Sequence, residues 1–175
     1  MRNDNAKWHP ASGLDRPVLS APGCEIQIVQ PELQTLISGP YNDALKLAGI
    51  STATGWPERA KGECYAVRLR RDRILVVNGP ELADGWHDVE GLAVSDMTDG
   101  YAILELSGAN AMSVLRRGTE ISLNEPSASV TRGFSGYGTL IYRFEQIDRF
   151  RVHCPRGFLE GLWSLMQSYA EQFNA

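Results

Sequence analysis

A short pattern occurs twice in this chain, and it restricts the fold more than any other feature. Leu36-Ile37-Ser38-Gly39-Pro40-Tyr41-Asn42-Asp43-Ala44-Leu45 parallels Glu105-Leu106-Ser107-Gly108-Ala109-Asn110-Ala111-Met112-Ser113-Val114, with the two serines 69 positions apart. A second pair, Ile74-Leu75-Val76-Val77-Asn78-Gly79-Pro80 and Phe150-Arg151-Val152-His153-Cys154-Pro155-Arg156, lies 76 apart. Each copy reads as a strand, a Ser-Gly turn, a helix and further strands. Two copies are too few for an open solenoid. They predict one pseudo-symmetric α+β domain of duplicated β-α-β halves, with helices outside the sheets. The predicted organisation is an extended N-terminal arm over 1–23, marked by Pro10, Pro17 and Pro22, and a single domain over 24–175. Its pseudo-repeats cover about 24–90 and 91–175.

Along the first copy, Glu25 to Val29 alternates as a strand and Leu33 to Ile37 follows as a second. Tyr41 to Leu47 is a predicted helix that Gly49 stops, and 51–63 is loop. Cys64 to Leu69 and Ile74 to Val77 form a hairpin, and Glu81 to His87 is expected as a short helix. In the second copy, Ile103 and Glu105 alternate with Leu104 and Leu106, which predicts a strand with one buried face. Ser107 is placed to cap a helix that Ala109 begins, and Gly118 to end it in the left-handed conformation. Gly133 to Gly138 reads as a hairpin loop. Phe158 to Phe173 is a helix with an apolar stripe at Phe158, Leu162, Leu165, Met166, Tyr169 and Phe173.

Composition excludes several classes. A net charge of −4 without a long basic run argues against nucleic acid as a partner. No apolar stretch reaches the roughly 18 residues that a membrane span needs, and the N-terminus has no signal-peptide pattern. Cys24, Cys64 and Cys154 show no C-x-x-C spacing, so neither a disulfide frame nor a metal site is expected, and the chain is expected in the cytoplasm. His9, His87 and His153 lack metal-ligand spacing. There is no nucleophile elbow, Walker loop or dinucleotide fingerprint, so no catalytic residue is assigned. Arginine outnumbers lysine 14 to 3. Its densest patch, Arg68, Arg70, Arg71 and Arg73, reads as a solvated face or protected edge, or else as a dock for acidic groups.

Asp96-Met97-Thr98-Asp99, Leu104 to Ala111, Arg117-Gly118-Thr119-Glu120-Ile121-Ser122-Leu123, Ser129-Val130-Thr131 and Arg156-Gly157-Phe158 follow one another in an order that resembles a family. It is the gamma subunit of heterotetrameric sarcosine oxidase, related to the folate-binding domain of glycine-cleavage aminomethyltransferase. The resemblance covers roughly 70–172. Thr119-Glu120 stands where the family has Cys-Pro, Ser122 where it has Asp, and Gly157 where it has Ser. Lys61-Gly62-Glu63-Cys64-Tyr65 is similar to a Lys-Gly-Cys-Tyr motif of iron–sulfur maturation relatives, but Glu63 interrupts it. Cys64 is therefore expected to be a small buried hydrophobe.

The resemblance implies an aminomethyltransferase-like fold and a non-catalytic subunit that stabilises the folate-binding part of a larger one. Its partners would be alpha- and beta-type oxidase subunits carrying FAD, FMN and NAD. This chain is expected to hold no cofactor of its own, with tetrahydrofolate left open. Asp96, Arg132 and Arg156 stand at family-like positions as candidates for a folate channel, because the arginine fork binds both oxygens of a carboxylate. The alternative is a free-standing folate-binding or one-carbon transfer protein.

Overall fold

The computed structural model describes residues 16–119 and 124–174. The first repeat runs β1 (Leu19–Ala21), β2 (Cys24–Val29), β3 (Gln34–Ser38), α1 (Tyr41–Ala48), β4 (Arg59–Ala60), β5 (Tyr65–Arg70) and β6 (Arg73–Val77). The second runs β7 (Gly85–His87), β8 (Leu92–Asp96), β9 (Tyr101–Ser107), α2 (Ala111–Gly118), β10 (Thr131–Phe134), β11 (Tyr137–Phe144), β12 (Arg149–Pro155) and α3 (Leu159–Glu171).

Two sheets form. Sheet A has the order β1-β2-β9-β12-β11-β10, with β4 beside β11, and sheet B has β7-β8-β3-β6-β5. The shared order shows that the repeats exchange their first hairpins. The β1–β2 hairpin joins β9 of the second copy, and the β7–β8 hairpin joins β3 of the first. The fold is α+β, with two largely antiparallel sheets whose outer faces carry the helices.

The exchange accounts for the repeated Ser-Gly. Gly39 has φ +141° and Gly108 has φ +108°, conformations that L side chains rarely adopt. A Cβ on Gly108 would lie 2.5 Å from the carbonyl oxygen of Gly23, in the turn of the β1–β2 hairpin. A Cβ on Gly39 would lie 2.8 Å from the carbonyl oxygen of Gly91, in the turn of the β7–β8 hairpin. Each glycine is thus the place where the other copy's hairpin turn comes closest.

Alternation sorts the strands into three cores. Cys24, Ile26, Leu104, Leu106, Phe150 and Val152 face α2 and α3. Ile37, Ile74, Val76 and Val94 face α1. Tyr65, Val67, Leu69, Leu75, Val77, Leu140, Tyr142 and Phe144 fill the space between the sheets. The last helix buries Leu159, Leu162, Trp163, Met166 and Ala170, a helical face. Phe158 at its start is exposed.

Several expectations are corrected. No helix forms over Glu81 to His87; Gly85 at φ +114° breaks it, and Trp86 and His87 pair instead with Ala93 and Leu92. The helix expected from Ala109 begins at Ala111. Ser107 belongs to β9, and Asn110 holds the exchanged hairpin, donating from Nδ2 to the Pro22 carbonyl at 2.9 Å. Gly118 is not left-handed. A Cβ there would meet the Phe134 ring at 2.5 Å, so glycine serves close packing, and the Thr119 hydroxyl bonds the Leu115 carbonyl at 2.6 Å. Strand β9 is buried on both faces, because sheet B covers the side that carries Ile103 and Glu105. Cys64 is exposed rather than buried, just ahead of β5.

Of the arm predicted over 1–23, residues 1–15 lie outside the described residues, and Leu19–Ala21 is the strand β1. Residues 120–123 of the family-like Arg117 to Leu123 segment also lie outside them.

Candidate functional site

Sheet A turns a continuous polar chain toward sheet B. Glu105 on β9, 5% exposed, accepts from Arg151 Nε at 2.9 Å and from Gln27 Nε2 at 3.0 Å, and Arg149 Nε lies 3.7 Å away. Arg151 Nη1 donates to the Tyr65 hydroxyl at 2.7 Å. Tyr65 and Tyr142 share a hydrogen bond of 2.8 Å, and Tyr142 reaches His153 Nε2 at 2.6 Å. An arginine only donates, so Tyr65 is free to pass its own proton to Tyr142, and Tyr142 its proton to Nε2. This direction leaves a single orphan, the His153 Nδ1–H, whereas the reverse also strands the Tyr65 proton.

The environment fixes the charge states along the chain. Burial, aided by the Arg151 charge, lowers the His153 pKa to about 3, so the ring is neutral at neutral pH. Burial also raises Tyr65, and raises Tyr142 well above the ordinary phenol value. Tyr142 and His153 have no exposed surface, so neither offers an atom to a ligand arriving from solvent. The chain holds the two sheets in register: a buried carboxylate that satisfies arginine from one strand and, through Tyr65, links to the other sheet.

Two of the three predicted candidates meet at one turn. Asp96, at the end of β8, accepts the Thr98 N–H at 2.8 Å, and its own N–H donates to Asp84 Oδ1 at 2.7 Å. The bonds from Thr98 lower its pKa. Arg156, just after β12, donates to the Thr98 carbonyl at 3.0 Å and pairs with Asp99 at 3.4 Å. Buried Gln34 closes the turn, donating its backbone N–H to Thr98 Oγ1 at 3.0 Å. Arg132 is elsewhere. It is buried on β10, spends Nη1 on the carbonyls of Ser129 (2.9 Å) and Thr131 (2.7 Å), and burial lowers its pKa. It shares no partner with Asp96 or Arg156. The structure thus brings Asp96 and Arg156 together and sets Arg132 apart, and the space between the sheets is filled by side chains such as Tyr65, Leu75, Tyr142 and Phe144.

The basic patch divides. Arg68 is half-buried, its guanidinium 4.2 Å from the Tyr41 ring centre, beside a cleft of about 420 Å³ that Trp56 and Glu58 also line. Arg70 and Arg71 are exposed. Burial raises Cys24 and Cys154 to about 11, so neither is a reactive thiolate. Among the described residues no group of His, Cys, Asp and Glu is arranged to hold a metal, and no helix is long and apolar enough to cross a membrane.

Sequence reasoning missed Glu105, Arg151 and Tyr142 as a unit. The signal was present in the repeat: Glu105 stands where the first copy has Leu36, and Arg151 where it has Leu75.

The fold is that of the aminomethyltransferase-like class. A chain of the heterotetrameric sarcosine oxidase from Corynebacterium sp. U-96, in complex with pyrrole 2-carboxylate, superposes with a TM-score of 0.69 at 17% identity, covering 90% of this chain and 89% of that one. The glycine cleavage system aminomethyltransferase T from Bartonella henselae superposes with a TM-score of 0.51 at 16% identity, covering 82% of this chain and 45% of that one. This chain therefore spans less than half of the aminomethyltransferase. At these identities the likeness shows the fold alone. No protein-family model matches the chain, and no curated protein does.

Proposed function

We propose that the chain is a non-catalytic gamma-type subunit of a multisubunit sarcosine oxidase, or of a related complex that oxidises N-methyl amino acids. In this reading it stabilises the folate-binding part of the large subunit, and alpha- and beta-type partners in the cytoplasm carry FAD, FMN and NAD. The observation that carries the reading is the end-to-end correspondence with one chain of the sarcosine oxidase, 90% against 89%. The interior supports it, since Glu105, Arg151, Tyr65 and Tyr142 between the sheets are bonded to one another. Co-purification of the tagged chain from its own cells tests the proposal. Two larger subunits with a flavin absorption spectrum are expected, and the isolated chain should not demethylate sarcosine. A colourless single chain would overturn it.

The second reading, a free-standing folate-binding or one-carbon transfer protein, draws on the aminomethyltransferase likeness. Its candidates stay Asp96, Arg132 and Arg156, of which Arg132 and Arg156 each have a buried Nε without a partner. Equilibrium dialysis against tetrahydrofolate separates the two. Binding by the isolated chain that is lost in Arg156→Ala would favour the second reading.

A further inference from the structure

The exchanged hairpins are equivalent by fold but not by cover. In the second half, α3 packs on α2 and on β1. Arg117 of α2 donates to Gln172 just beyond α3, and its guanidinium lies 4.9 Å from the Phe173 ring centre. Aligning the two helices by their buried faces puts Leu47 of α1 in the position of Arg117. The counterpart of β1 is β7. No helix follows β6 in the first half, and the chain goes through a turn to β7 directly.

Where the end of α3 sits in one half, the other half has a groove of about 430 Å³ lined by Asp43, Lys46, Leu47, Val89 and Glu90. Asp43, Lys46 and Leu47 share one face of α1. Val89, at the tip of the β7–β8 hairpin, is 94% exposed, and Trp86 on the same hairpin is 64% exposed. The hairpin that borders the groove therefore leaves two large apolar side chains in water. The groove's rim is mainly acidic: Asp88 and Glu90 are exposed in the β7–β8 turn and Asp43 faces them from α1, with Lys46 the basic residue of the lining. Asp43 and Glu90 make no ion pair among the described residues.

The geometry points to this groove as the seat of one amphipathic α-helix from a partner chain, in the place that α3 takes in the other half. Its apolar face lies on Leu47 and Val89, and it turns lysine or arginine toward Asp43 and Glu90. A helix is favoured over an added strand because the molecule already seats a helix on the equivalent surface. The opposite charge follows from the two unpaired carboxylates. The inference rests on the accessory-subunit reading for the existence of that partner.

The test is photo-crosslinking in native cells, with benzoylphenylalanine in place of Val89 in the full chain and the linked peptide mapped by mass spectrometry. A crosslink to a basic amphipathic helical segment of a larger, flavin-carrying chain is expected, with its yield about tenfold lower in Asp43→Asn/Glu90→Lys. The same crosslink to a chain without flavin keeps the groove and overturns the accessory-subunit reading. The groove assignment fails if no crosslink forms, if it reaches a second copy or an acidic or non-helical segment, or if the charge variant leaves the yield unchanged. Flavin-carrying chains that still co-purify in those cases would keep the subunit reading and place its contact on another face.

Discussion

Leu36, Leu75 and Val77 on sheet B occupy the positions that Glu105, Arg151 and His153 occupy on sheet A. One repeat meets the interior with aliphatic side chains, the other with a carboxylate, a guanidinium and an imidazole. The duplicated backbone tolerates both solutions. The apolar set gains by leaving water. The polar set costs desolvation and returns it only while every member keeps its partner. Among the described residues the polar half is also the half covered by two helices, while the apolar half has one helix and leaves Trp86 and Val89 bare. Duplication followed by divergence would separate a sealed half from a half with free surface, and the proposed docking groove lies on the latter.

The largest expected effect breaks the polar set. Glu105→Leu strands Arg151 beside Tyr65 and should cost about 3–5 kcal/mol in urea unfolding. Adding Arg151→Leu copies the Leu36/Leu75 pair of the other repeat, and should recover most of that loss. A double variant no more stable than the single one would mean that the halves are not interchangeable at these positions.

The two exchange points come next. Gly108→Ala forces a methyl group against the Gly23 backbone and should cost about 3 kcal/mol. Gly39→Ala meets the movable Leu92 side chain at 2.6 Å as well as the Gly91 carbonyl, and should cost about 2 kcal/mol. Equal losses in thermal unfolding would show that the two turns are equally rigid.

The polar half also predicts a pH response that the apolar half lacks. The His153 pKa falls from 6.5 to about 3 on folding, so the unfolded chain binds a proton that the folded chain refuses. That stability is complete above the unfolded pKa and is lost as pH falls through the window from 6.5 toward 3. The loss amounts to about 2 kcal/mol by pH 5 at 1.36 kcal/mol per unit. In His153→Gln this part of the pH dependence should vanish, so the stability gap between wild type and variant narrows from pH 7 to pH 5. A constant gap would overturn the assignment of a neutral buried ring. The smallest effect belongs to the bare half: Val89→Ser should shift stability by no more than about 0.5 kcal/mol, because the side chain touches little in the isolated chain.

Much of the backbone was legible in residue patterns. The Ser-Gly repeat, the alternation in Glu25 to Val29, and the apolar stripe of the last helix depend on local geometry with periods of 2 and 3.6. Glu81 to His87 forms no helix because Trp86 and His87 pair with Ala93 and Leu92 in a hairpin that docks on β3, far away in sequence, and this outweighs helix propensity. The candidate site was legible only in part. Asp96 and Arg156 do meet, through Thr98, whereas Arg132 turns to its own loop.

The duplication, the α+β alternation and the Ser-Gly turns could be read from residue order alone, since these follow from side-chain period and turn chemistry. Tertiary structure decided which hairpin joins which sheet, that β9 is buried on both faces, and that Glu105, Arg151, Tyr65, Tyr142 and His153 form one chain. It also decided that, among the described residues, α2 is packed by α3 while α1 has no helix against it. Those outcomes depend on residues far apart in sequence, such as Tyr65 and Arg151, being brought within hydrogen-bond distance, and no local pattern encodes that meeting.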